Sequence, residues 1–199
     1  DTDDVVDVYL CNALADLGEI TIPAMISTAK TVTAAPCLRA CLDHFGRTGV
    51  PVGAWQGPFP FTGHYQDTWD IYATAVRDQF RAGETRSDYP SSTTVYRTAL
   101  AAAADGSITI VTTGPLTSAA ALMNSAADGI SSLTGQQLIS AKVAQLVAVC
   151  GVWPAGEFLG GFADFNLDID APAAADVFTN WPMPIIMPDP ETNPRVGSM

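Results

Sequence analysis

Carboxylates dominate the residues of this chain that could do chemistry, and three of them open it. The first ten residues read DTDDVVDVYL, with Asp1, Asp3 and Asp4 directly before an apolar run of helical character. Two readings fit. Acidic side chains cap helix starts and complement the positive end of the helix dipole. Adjacent carboxylates on a loop leading into a helix also point different ways. One then ligates a hard cation while the other accepts from a substrate hydroxyl; calcium takes about six to eight such oxygens.

Other chemistries lack their residues. There are two histidines. His44 falls late in a helix, where favourable contact with the helix end accounts for it, and His64 sits in an aromatic loop. No GxSxG elbow is present. No Walker A or GxGxxG run follows a strand, and GEFLGG lacks both the lysine and the spacing. Cys11, Cys37, Cys41 and Cys150 form no CxxC pair and no Cys/His cluster of zinc spacing. Cys37 and Cys41 share one face of a helix as small buried hydrophobes, with a disulfide as the alternative.

Charge narrows the partners. Twenty-one acids against nine Lys and Arg give a net charge of -12. That argues against nucleic acid and anionic membranes and is compatible with a cation requirement. With 199 residues, 48% apolar and 15% charged, the chain is long enough for a sizeable core. No apolar run approaches the roughly 20 residues of a membrane span. No signal peptide is read at the start, and a start at Asp1 is consistent with processing or truncation. Lysine is confined to Lys30 and Lys142, and Ala, Thr and Ser abound, which leans toward an extracellular setting.

The elements that would position the carboxylates alternate. A mostly buried helix is expected from VVDVYLCNALADLG, ending at Gly18, then a strand at 19–28, a helix from APCLRACLDHFG and a strand at 50–55. A helix at 67–82 and another from SSTTVYRTALAAAADG precede the clearest strand, 107–112 within SITIVTTG. A helix beginning at Pro115, a strand at 144–150, a helix in APAAADVFTNW and a last strand in MPIIM follow. Short apolar strands alternating with helices imply an open, doubly wound, mostly parallel α/β sheet. Residues 1–199 read as one domain, expected to be incomplete at both ends, since a doubly wound unit opens on a strand and none precedes the first helix. Ligands of such sheets bind beyond the carboxyl ends of the strands. Three segments there carry chemistry: DTDD, TTGPLTS and GVWPAGEFLGGFADFN.

DTDDVVDV, ITIVTTGPLTSAAAL and ADFNLDIDAPAAADVF, in that order, resemble the inosine-uridine preferring nucleoside hydrolases over nearly the whole chain. GPLTS is similar to the family's GPLTN, and ADFNLDIDAPAA to its AEFN…DPEAA stretch. The resemblance implies a Rossmann-like, calcium-dependent N-glycosidase that cleaves ribose from base, with a non-catalytic binding or assembly role as the alternative. It implies calcium ligands at Asp4 and at the Thr113 backbone carbonyl. Asp3 stands where a ribose-binding carboxylate stands, and in a second register as the general base. Asp164, in place of the family's Glu, and Asn166 would hold sugar hydroxyls, and Glu157 would face the pocket. Cys150 replaces a common Met. His64, Tyr65 and Trp153 are candidates by residue type for the leaving-base side. The partner is a small-molecule nucleoside, and a homo-oligomer is the expected assembly. Because part of the family's motif set is absent, these 199 residues are expected to turn nucleosides over poorly.

Overall fold

A computed structural model describes residues 2–58, 66–151, 157–158 and 162–188. The chain is mixed α/β with parallel sheets. The order is α1 (Thr2–Asp16), β1 (Met25–Ser27), α2 (Ala34–His44), β2 (Val52–Ala54), α3 (Gln66–Phe80) and α4 (Ser92–Ala102). There follow β3 (Ile108–Thr112), α5 (Thr117–Met123), α6 (Gly135–Lys142), β4 (Val143–Ala148), β5 (Glu157–Phe158), β6 (Phe162–Ala163), α7 (Phe165–Asp168), α8 (Ala171–Asn180) and β7 (Ile185–Ile186). Two compact units divide between Val95 and Tyr96.

In the first unit β1 and β2 pair in parallel, Met25 opposite Val52 and Ser27 opposite Ala54. The expected strand at 19–28 is shorter than its alternating pattern, because Pro23 has no N–H for a ladder and pairing begins past it. Leu42 and Ala35 of α2 pack on Val52 and Ala54, with Met25, Leu38, Val50 and Tyr89 around them. Gly18 and Gly46 end α1 and α2 at φ +74° and +72°, the left-handed geometry for which glycine is suited. Gly53 is a close-approach glycine: a Cβ there would lie 2.8 Å from Ile26 and 2.9 Å from Val95.

Helix α1 departs from expectation twice. It begins at Thr2, so Asp3 and Asp4 lie in its first turn and not in a loop before it. It is also not mostly buried. Of its described side chains Asn12 alone is buried, while Val6, Tyr9 and Leu10 are exposed. Its anchors are polar and aromatic. Arg47 donates to the Asn12 side chain (3.2 Å) and backbone (3.3 Å) and pairs with Asp16, and Tyr9 meets Phe45 edge-on at 4.6 Å.

In the second unit β3, β4 and β7 form one parallel sheet with β4 central. Leu116, Leu122, Leu138, Ile139, Leu146 and Val177, from β4 and helices α5, α6 and α8 with the turn before α5, fill its core. Arg97 is fully buried, clasping Asp128 through two bonds (2.9 and 2.8 Å) and reaching Ser125 and the carbonyls of Ser131 and Leu133. Pro115 is not the first residue of α5; the helix starts at Thr117, with Leu116 as its N-cap. The strand expected at 144–150 stops at Ala148, and Gly151 turns the chain at φ +83°.

Candidate functional site

The sheet of the second unit sets the site. Thr112 pairs with Ala148, so β3 and β4 end side by side and release two loops at the same edge. One loop runs from Thr113 through Gly114 and Pro115 to Leu116 and then enters α5; the other begins at Val149, whose N–H donates to the Thr112 carbonyl (2.9 Å). Asn166, in the short helix α7, spans the two. Its Nδ2 donates to the Thr113 carbonyl at 3.2 Å and to the Val149 carbonyl at 2.8 Å. The amide oxygen has no hydrogen-bond donor among the described residues.

Two buried carboxylates flank Asn166 in the chain. Asp164 caps α7, accepting from the Leu167 N–H at 2.9 Å through one oxygen. Asp170 caps α8 through the Ala173 N–H (3.2 Å) and accepts the Thr117 hydroxyl at 2.6 Å. Cys150 is buried here, and burial, then the charge of Asp164, pushes its thiol up to about 11. It is therefore inert as a nucleophile at neutral pH. The Thr112 hydroxyl is buried with no partner among the described residues. An orphaned polar atom of this kind is what ordered water or a ligand satisfies.

Asn166 thus bonds the Thr113 carbonyl where β3 ends, and Asp164 lies two residues before it in the chain. Asp164 is a helix cap. Asn166 spends its donors on the protein backbone. Glu157 lies in the hairpin of β5 and β6, a short antiparallel pair that the sequence pattern does not announce. Asp3 and Asp4 lie in the first turn of α1, in the other unit. His64, Tyr65 and Trp153 lie outside the described residues. Sequence reasoning misses Asp170 and Thr117, although Asp170 before Ala171-Pro172 is a helix-start signature.

The arrangement is rich in acceptors. Carbonyl and carboxylate oxygens suit ligands that bring hydroxyl hydrogens, such as sugars, and are the hard donors that calcium takes. They fit that ion by type. Among the described residues no three His, Cys, Asp or Glu side chains cluster as a metal site.

Three solved structures share this architecture. The type III effector protein XopQ complexed with adenosine diphosphate ribose matches over 94% of this chain and 52% of its own, at TM-score 0.64 and 17% identity. The effector protein XOO4466 matches over the same shares at TM-score 0.67 and 17% identity. The plant nucleoside hydrolase PpNRh1 matches over 86% of this chain and 52% of its own, at TM-score 0.59 and 20% identity. The chain has a nucleoside hydrolase-like fold. It spans about half the length of these structures. No protein-family model matches the sequence, and no curated protein matches it significantly.

Proposed function

We propose that this chain is part of a nucleoside hydrolase of the inosine-uridine preferring kind, whose strand-end oxygens hold the ribose of a nucleoside while its N-glycosidic bond is hydrolysed. The observation that carries the reading is the acceptor cluster at the ends of β3 and β4, set by Asn166 across the Thr113 and Val149 carbonyls. Breaking the bond develops oxocarbenium character on the ribose. Asp164 and the Asn166 oxygen accept from the sugar hydroxyls, and a carboxylate takes the proton of the attacking water. Calcium, when bound at the Thr113 carbonyl, would supply a water of lowered pKa.

A second reading is a binding protein without turnover. It draws support from XopQ, which shares the fold and whose structure is a complex with adenosine diphosphate ribose. The Thr113 carbonyl, already accepting from Asn166, supports it too. The test measures base release from inosine and uridine with added calcium, and in parallel calorimetric binding of adenosine diphosphate ribose. Calcium-dependent release of free base supports hydrolysis. Saturable binding without release selects the second reading. Neither release nor binding overturns both.

A further inference from the structure

We propose that Asp170 and Thr117 are a positioning pair that holds the two loops of the strand-end site in register. The proposal rests on the ribosyl-binding reading above, and its test separates the two. Thr117 is the first residue of α5, four positions after Thr113. Asp170 caps α8, four positions after Asn166 and six after Asp164. One carboxylate therefore ties the helix that follows the Thr113 loop to the helix that follows the Asp164–Asn166 loop.

The geometry exceeds what capping needs. Capping α8 uses one oxygen, on the Ala173 N–H at 3.2 Å. The other reaches a different helix, 53 residues away in sequence, at 2.6 Å from the Thr117 hydroxyl. That is a close hydroxyl-to-oxygen hydrogen bond. Thr117 does not cap its own helix, whose N-cap is Leu116 with no side-chain bond. Both residues are more than nine-tenths buried, Thr117 at 6% and Asp170 at 8% exposure, so water does not replace the bond cheaply. Asn166 ties the same loops at the strand ends, and Asp170 ties them at the helix starts. With both of its oxygens committed, Asp170 acts through the loops and not on a ligand.

The experiment uses Thr117→Val, which keeps shape and removes the donor, and Thr117→Ser, which keeps the donor. Affinity for adenosine diphosphate ribose with added calcium is measured by calorimetry. Amide exchange is measured at Thr113–Leu116 and Asp164–Asn166, at a temperature where each variant is fully folded. Loss of such a buried hydrogen bond is expected to cost up to about tenfold in affinity. Thr117→Val is expected to weaken binding by that factor and to speed exchange in both loops, while Thr117→Ser stays at wild-type values. Unchanged affinity and exchange in Thr117→Val overturns the pair. If Thr117→Val does not fold, Asp170→Ser, which keeps a cap oxygen for α8 and has no second oxygen to reach Thr117, is judged by the same two readouts. If the wild type binds no adenosine diphosphate ribose, the functional reading fails, and exchange alone decides the pair.

Discussion

Replacing Asn166 separates a structural tie from a sugar contact. Its amide makes two donations, 3.2 Å to the Thr113 carbonyl and 2.8 Å to the Val149 carbonyl. Each neutral bond contributes about 1 kcal/mol net, so Asn166→Ala should cost about 2 kcal/mol. For a chain of this size that lowers the melting temperature by roughly 4–8 °C. Asn166→Asp has almost the same shape but replaces two donated hydrogens with an acceptor facing two carbonyl oxygens. It should therefore destabilise more than Ala at neutral pH, and recover partly as acid protonates the carboxyl and restores one donor. A purely sugar-binding residue leaves both variants about as stable as wild type. Thermal and urea denaturation followed by circular dichroism reads this directly. An Asn166→Asp protein as stable as wild type, or more stable than Asn166→Ala, rules out the backbone tie.

Further outcomes concern acid stability, packing and thiol reactivity. Hydrogen bonds from Arg97, then from the Ser131 and Ile130 N–H groups, hold the Asp128 carboxyl down at about 2. A lowered native value gives stability that is present above the unfolded value near 4 and lost as pH falls through about 2. Asp128→Asn should flatten that acid limb in pH-dependent melting, and an unchanged limb would sink the assignment. Alanine at Gly135 would place a Cβ 1.7 Å from the Leu122 carbonyl oxygen, whereas Gly129 has nothing within 4 Å. Gly135→Ala should cost on the order of 3 kcal/mol and Gly129→Ala under about 0.5 kcal/mol, with equal melting points as the contrary result. The hydrogen bond from Cys37 lowers the Cys41 thiol to about 7, against the opposing effect of burial. Near neutral pH iodoacetamide should label Cys41 first and Cys150 last, and Cys37→Ala should slow Cys41; peptide mapping that finds Cys150 labelled early would contradict this.

The strands of the second unit are legible in the sequence because nothing local competes with them. ITIVT and the segment after Lys142 are β-branched or apolar runs that end near glycines, and they pair in parallel as expected. Helix α6 escapes notice although its signature is present: Thr134 and Gln137 form a capping box, at 3.3 Å and 2.9 Å. Its short length and its run straight into β4 hide it behind the strand pattern. The exposure of α1 is not legible, since periodicity marks an apolar face and says nothing of what covers it. Short motifs locate the Thr113, Asp164 and Asn166 cluster but not the duties of its members. That Asn166 donates to two carbonyls depends on where α7 sits, and α7 is a four-residue helix with no periodicity to read. Asp170 is hidden for a different reason, because a carboxylate before Ala-Pro reads as a cap and its second oxygen leaves no trace in sequence.

On the function proposed above, ribosyl ligands bind at the acceptor cluster where β3 and β4 end. Backbone chemical shifts recorded while inosine and adenosine diphosphate ribose are titrated with saturating calcium decide the matter. Saturable shifts concentrated at Thr112–Leu116, Val149–Gly151 and Asp164–Asn166 are expected. Absence of shifts, or shifts confined to the shallow groove of Gln136, Ser140 and Pro182, would contradict binding at the strand ends.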